Sequence, residues 1–108
     1  MSSAGLVTFV GWRFLKARRV RRKLPSLLAQ GAVVVDVRSR AEYVAGASPG
    51  SINIPLSELE NGAEALSREK PVILCCASGT RSSMAAAILK RKGFRITVNA
   101  GSWKNTVI

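Results

Sequence analysis

Pro71-Val-Ile-Leu-Cys75-Cys76-Ala-Ser-Gly79-Thr-Arg81-Ser82 is the stretch on which the fold turns. After Pro71, Val72-Ile-Leu-Cys75 is apolar at every position. Such a run suits a strand buried on both faces, the usual state of a strand in a parallel sheet. A polar loop of small residues follows, with Cys76 as its expected first residue. The chain then becomes rich in alanine, with Met84, Ile88 and Leu89 available for a core. This predicts a helix over about residues 82–92. Lys90, Arg91 and Lys92 complement the negative end of its dipole, and Gly93 suits the position after its last turn.

Working outward, Ala32-Val-Val-Val-Asp-Val37 is a second continuous apolar and β-branched run, again read as a buried strand. Leu24, Leu27 and Leu28 recur at helical spacing before it, and Gly31 can end that short helix. Ser39-Arg-Ala-Glu42 has the form of a capping box opening a brief helix. Pro49-Gly50 reads as a turn and Ser51-Ile-Asn-Ile54 as a short strand ended by Pro55. Residues 56–69 read as weak helix and loop, Arg95-Ile-Thr-Val98 as a last strand, and Trp103 as part of a loop or final turn. Strands alternating with helices imply an α/β fold with a mostly parallel central sheet. In such sheets, ligands gather at the carboxyl ends of the strands. Asp36 and Cys75-Cys76 should share that edge.

The chain of 108 residues fits one domain. Its net charge of +11 is uneven: residues 1–24 contribute +7 with no acid, and residues 25–108 only +4. The division expected is therefore an N-terminal helical extension, 1–24, and a domain, 25–108. Ala4-Gly-Leu-Val-Thr-Phe-Val-Gly-Trp-Arg-Phe-Leu15 is too short to span a membrane. Its charges follow the apolar run, the wrong order for a secretory signal. An apolar patch followed by bases suits docking to an anionic membrane surface or to a protein, or a solvated helix packed on the domain. Nothing resembles a nucleic-acid-reading module, so no nucleic acid is expected as a partner.

Cys75 and Cys76 are the only cysteines, and adjacent residues do not suit disulfide geometry. Two free thiols point to a reducing, cytoplasmic setting or to chemistry. Histidine is absent, which removes a Cys-His pair and any histidine metal site. No metal or cofactor is expected.

The loop Cys76-Ala77-Ser78-Gly79-Thr80-Arg81-Ser82 can supply the missing activation by itself. Gly79 permits unusual backbone angles, so successive N–H groups can converge on one point. That nest and the helix N-terminus stabilise an anion and favour a thiolate. Arg81 adds a fixed positive charge. Cys76 is thus the candidate nucleophile and residues 77–82 the candidate anion site. Asp36 and Arg38 read as supporting residues that tie the neighbouring strand end through each other, Glu42 or loop N–H groups.

Asp36-Val-Arg38, Ala41-Glu-Tyr43, Pro49-Gly-Ser-Ile-Asn-Ile-Pro55 and Cys76-x-x-Gly79-x-Arg81-Ser82 occur in the order found in rhodanese domains, which this chain resembles over about residues 25–108. Gly93-Phe94 and Asn99-Ala-Gly101-Ser-Trp103 extend the likeness. The resemblance implies a five-stranded sheet with helices on both sides. It implies a sulfurtransferase that takes sulfane sulfur from a small anionic donor such as thiosulfate. Cys76 would hold the sulfur as a persulfide and pass it to cyanide or a thiol. One departure is Gly46-Ala47-Ser48, where the family often has Gly-His-Ile, and altered packing is expected there.

Two other readings compete. Counted from Cys75, the loop is Cys-x5-Arg, the spacing of cysteine phosphatases and arsenate reductases. No general acid for a phosphate leaving group is evident near it. Alternatively the domain is a non-catalytic binding module. The choice of register, Cys75 or Cys76, decides between the first two.

Overall fold

The structure, a computed structural model, describes the backbone of residues 2–108 and the side-chain surroundings of Gly11 and residues 13–108. Much of the apolar run expected over residues 4–15 therefore lies outside the described side chains. Helix α1 (Ser2–Ala29) leads into β1 (Val33–Asp36), α2 (Arg40–Ala45) and β2 (Ile52–Asn53). Short helical turns occupy Leu56–Glu58, α3 (Leu59–Gly62) and Ala63–Ala65. Then come β3 (Val72–Cys76), α4 (Thr80–Arg91), β4 (Thr97–Ser102) and a closing turn of 3-10 helix, Trp103–Thr106.

The α/β reading holds. All strand pairs are parallel, in the order β2-β1-β3-β4. The two apolar runs form the central pair, β1 and β3, buried on both faces except at Val33, which is half-buried. Asp36 stands opposite Cys75 across that pair, so the expected shared edge is real.

Successive residues of a strand face opposite ways. Val35, Val37, Val72, Leu74 and Cys76 therefore face one layer, where Leu59, Ala63, Ala85, Leu89 and Phe94 cover them. Val34, Ile73 and Cys75 face the other, with Val20, Leu24 and Ala100. Helices thus cover both faces, α3 and α4 on one side and α1 on the other.

Three expectations are corrected. Among the described residues the sheet has four strands, not five. The chain before β1 is helix, and its run of bases has no place in a buried parallel strand. β4 covers Thr97–Ser102 rather than residues 95–98. Asn99-Ala-Gly-Ser102 has poor strand propensity, but pairing with β3 overrides it. A bulge at Ala100 makes this possible: Leu74 pairs with Asn99 and Cys75 with Gly101, leaving Ala100 as the extra residue. Asn105 Nδ2 donates to the Ala100 carbonyl at 2.8 Å. Finally, the longer β4 gives Cys76 a ladder partner, Ser102. Cys76 is therefore the last residue of β3, not the first of the loop.

The short helix expected around Leu24 is the end of a much longer one. α1 runs unbroken through Pro25. A proline inside a helix removes a hydrogen bond and costs about 3 kcal/mol. Here Val20 and Leu24 just before it are buried and Leu27 and Leu28 after it pack on the same layer, so both sides of the proline are pinned to the sheet. Gly31 closes the helix as expected, donating to the Leu28 carbonyl at 3.0 Å. Arg18, Arg19, Arg21, Arg22 and Lys23 are exposed around the buried pair. Among the described residues, no helix is long and apolar enough to cross a membrane.

This packing makes α1 part of the core. Leu24→Ala should cost about 2–4 kcal/mol of stability, whereas Leu15→Ala, at a largely exposed position, should cost less than about 1 kcal/mol. Chemical denaturation of the two variants checks the difference.

Candidate active site at the strand-to-helix loop

The loop between β3 and α4 begins where Cys76 ends its strand. Gly79, the residue before α4, has φ of 111°. That left-handed conformation is open to glycine at little cost. Space does not decide it: a Cβ on Gly79 would lie 3.4 Å from the Cα of Gly101 on β4, an ordinary contact, so the backbone angle is what selects glycine. The turn lets the Gly79 N–H donate to Cys76 Sγ at 2.9 Å. The Ser82 hydroxyl, from the first turn of α4, lies 3.4 Å from the same sulfur.

These donors act against burial. Burial alone pushes the Cys76 thiol upward. Hydrogen bonds from the Ser82 hydroxyl and from the N–H groups of Ser82, Gly79 and Ser78 outweigh it and bring the thiol below its ordinary value. Of the expected anion site, Ser78, Gly79 and Ser82 thus act on the sulfur itself. Ala77 and Thr80 are exposed on the rim.

Cys75 has the opposite fate. It is fully buried on the other face, and burial followed by the Asp36 charge pushes its thiol up to about 12. The two thiols, equal in sequence, differ because a strand alternates. Only Cys76 faces the layer that holds the N-terminus of α4.

Of the two duties open to Arg81, attracting a donor or supporting the loop, its contacts fit the second. Its Nη1 donates to Glu42 Oε1 at 2.7 Å and its Nη2 to Glu42 Oε2 at 3.0 Å. It therefore straps the loop to α2. Glu42 also completes the expected capping box, accepting from the Ser39 N–H at 3.0 Å while its own N–H donates to Ser39 Oγ at 3.2 Å. Sequence reading found the cap but not this second duty.

Asn99 was also not singled out as a site residue. Its Oδ1 accepts from the Gly101 N–H at 2.9 Å and lies 2.6 Å from Ser82 Oγ, so it competes with the more distant Cys76 sulfur for the one hydroxyl proton. Its Nδ2 donates to the Gly79 carbonyl at 3.3 Å. Asn99 thus fixes both the serine and the glycine that surround the sulfur. Its place in the Asn99-Ala-Gly101-Ser-Trp103 match was the available signal.

Asp36 and Arg38 pair with each other, as expected of supporting residues. Arg38 Nη2 donates to Asp36 Oδ2 at 2.7 Å, and Arg38 Nε to Asp36 Oδ1 at 2.9 Å. Arg38 Nη2 also donates to the Gly46 carbonyl at 2.8 Å, and its guanidinium lies 4.9 Å from the Trp103 ring centre. This cluster sits beside Cys75, on the face away from Cys76. At the departure noted above, Ser48 is buried and donates to the Thr106 carbonyl at 3.1 Å, so a hydroxyl there ties down the C-terminal turn.

Taken together, the loop can hold a sulfur anion without histidine. Its N–H groups converge on the position an anionic sulfur would occupy, and Asn99 and Glu42 hold the frame.

Comparison with known proteins adds the following. Residues 20–107 match the family described as Rhodanese-like domain. The chain is 37% identical over 98 residues to human Thiosulfate:glutathione sulfurtransferase, covering 76% of this chain and 85% of that protein. It is 39% identical over 66 residues to the putative sulfur carrier protein YrkF of Bacillus subtilis, covering 61% of this chain but only 36% of that protein. The solved structure of the human single-domain sulfurtransferase TSTD1 superposes with a TM-score of 0.67 at 35% identity, covering 78% of this chain and 88% of that one.

The Arg81–Glu42 strap has a pH signature. Hydrogen bonding to Arg81 chiefly, then to the Ser39 N–H, holds the Glu42 carboxyl at about 2 against an ordinary 4.5. A carboxyl lowered on folding stabilises the fold above its ordinary value, and that contribution is lost as pH falls toward the lowered one. The stability advantage of wild type over Glu42→Gln should therefore be full above pH 4.5 and shrink between 4.5 and about 2. Denaturation midpoints of both proteins across that range test it; a constant difference would contradict the strap.

Proposed function

The chain belongs to the rhodanese-like domain family, and on that premise we propose that it is a sulfurtransferase that carries sulfane sulfur on Cys76. The observation that carries this reading is the convergence of loop donors on Cys76 Sγ, with the Gly79 N–H at 2.9 Å. Thiosulfate is the model donor. The Cys76 thiolate attacks its outer sulfur, a new S–S bond forms, and the S–S bond to sulfite breaks as sulfite leaves with the electron pair. The outer sulfur then sits on Cys76 as a persulfide anion within reach of the same N–H groups. Cyanide or an acceptor thiolate attacks that sulfur and returns the electron pair to Cys76. The cycle is ping-pong, with one covalent intermediate.

The arrangement disfavours the phosphatase register. That chemistry requires Cys75 as nucleophile, and Cys75 is buried on the wrong face with its thiol pushed up to about 12. A binding module without turnover has no use for an activated thiol at the end of β3.

Incubation with thiosulfate should add about 32 Da, one sulfur atom, to wild type and to Cys75→Ser but not to Cys76→Ser. Cyanide should remove it. Cys76→Ser should lower turnover about 10³-fold or more. An adduct that survives in Cys76→Ser and disappears in Cys75→Ser would reverse the assignment.

We propose further that the protein is cytoplasmic, as its two free thiols suggest, and that its basic first helix rests on an anionic membrane surface. Exposed Phe14 and Leu15 on the same helix favour this reading. Truncation at residue 24 would strip Val20 and Leu24 from the core, so charge reversal is the better test. Arg18→Glu/Arg22→Glu should sediment less with phosphatidylserine vesicles than wild type; equal sedimentation would remove the membrane reading.

A further inference from the structure

Ser82 has one hydroxyl proton and three acceptors within reach of it. Asn99 Oδ1 lies 2.6 Å from Ser82 Oγ, the Gly79 carbonyl 3.1 Å and Cys76 Sγ 3.4 Å. The shortest of these is a full-strength O–H···O distance, so at rest the proton belongs to Asn99. The Cys76 thiol can then donate its own proton to a lone pair of Ser82 Oγ. Ser82 is fully buried, so the choice lies among these three acceptors.

The Asn99 amide is held one way round. Its Oδ1 accepts from the Gly101 N–H at 2.9 Å, and its Nδ2 faces the Gly79 carbonyl at 3.3 Å. Turned over, it would set N–H against N–H and carbonyl against carbonyl. Ser82 therefore always meets an acceptor on β4, yet nothing is stranded when the hydroxyl turns away from it. Oδ1 keeps the Gly101 N–H, and the Gly79 carbonyl keeps the Ser83 N–H at 3.0 Å. When the hydroxyl turns away from the sulfur instead, Sγ keeps the Gly79 N–H at 2.9 Å. Both positions thus avoid the cost of a buried polar group without a partner.

We propose that Asn99 is a positioning residue that holds the Ser82 proton while Sγ is uncharged and releases it to Sγ when the sulfur becomes a thiolate. A hydrogen bond to an ion outweighs one to a neutral amide, so the hydroxyl rotates when charge arrives. The role in turnover rests on the sulfur-carrier reading of Cys76. In the persulfide the outer sulfur carries the charge, and the hydroxyl returns to Asn99. An acceptor thiolate then bonds to the outer sulfur, the S–S bond breaks, and the electron pair arrives on Sγ. The Ser82 hydroxyl swings back to meet it. Asn99 touches no reacting atom. It restrains the thiolate by offering the proton a second home.

The test reads the ratio of thiolate to thiol in the full chain, by ultraviolet absorbance against pH with Cys76→Ser as blank. Cys75 does not titrate in this range, since burial and then the Asp36 charge push its thiol up to about 12. Of the other titratable groups on the elements around Cys76, Arg81 of α4 is bound to Glu42 of α2, Asp36 faces the opposite layer with Arg38, Glu60 of α3 is exposed and β4 carries none. None of them is altered. At a pH within the wild-type transition, Ser82→Ala should lower the ratio about threefold or more, the worth of one hydrogen bond. Asn99→Ala should raise it about threefold, because the strongest competitor for the hydroxyl is gone. In the Ser82→Ala background, Asn99→Ala should change it by less than about 1.5-fold. A merely structural role for Asn99 would let the donors drift and lower the ratio. A fall or no change in Asn99→Ala, or an equal rise without the hydroxyl, overturns the proposal. Should Asn99→Ala fail to fold, Asn99→Asp serves instead. Its charged oxygen holds the proton more firmly, so the ratio should fall, and by about threefold less once Ser82 is alanine. Equal falls in both backgrounds overturn the proposal. Sulfur uptake from thiosulfate is followed separately by mass. Its absence refutes the sulfur-carrier reading, whereas uptake with a ratio that ignores Asn99 refutes this proposal alone.

Discussion

Neighbouring residues of an extended strand point to opposite faces, and that rule separates Cys75 from Cys76. Both lie near the end of a central strand, and both are buried. Cys75 meets the layer of α1, the Asp36 carboxylate and little that favours a charge. Cys76 meets the start of α4, where N–H groups have no partner within the helix and are free to serve a sulfur anion. The whole site follows from this parity. Gly79 makes the turn that aims one N–H, Ser82 brings a hydroxyl, and Asn99 holds both by accepting from Ser82 and donating to the Gly79 carbonyl.

The frame around this point rests on two ion pairs of different character. Asp36–Arg38 is buried, with four contacts to the carboxylate at 2.7–3.0 Å. Removing one member of such a pair strands the other and typically costs about 3–5 kcal/mol. It binds the end of β1 to the Gly46 carbonyl and, by stacking, to Trp103. Arg81–Glu42 is half exposed and links the loop to α2. The first pair holds the scaffold. The second sets the position of a loop whose own residues are small and carry little packing of their own.

Much of this was legible in the sequence because the signals were local. Two apolar runs identified the central strands, Gly31 and Gly93 marked helix ends, and Ser39 with Glu42 marked a cap. The short Cys-to-Arg loop identified the candidate anion site. What escaped was set by partners distant in sequence. Asn99-Ala-Gly101-Ser102 does not look like strand, and only pairing with β3 makes it one. The same pairing moved Cys76 from loop to strand end. The strap between Arg81 and Glu42 joins residues that no local pattern connects. The fifth strand came from analogy; the residues before β1 spell out a basic helix instead. The length of α1 escaped as well: Val20 and Leu24 before Pro25 and Leu27 and Leu28 after it pack on the sheet and carry the helix through the proline.

The continuity of α1 carries a mechanical implication. A helix advances about 1.5 Å and turns about 100° with each residue. Because Val20 and Leu24 pin one end to the sheet, every earlier position has a fixed angular phase relative to the loop. A single residue inserted or deleted between Lys16 and Val20 would leave the sheet intact. It would rotate Arg13 and Lys16 by more than a quarter turn while Arg21, Arg22 and Lys23 kept their places. The spacing of those side chains from the core is thus as much a part of their design as their identity.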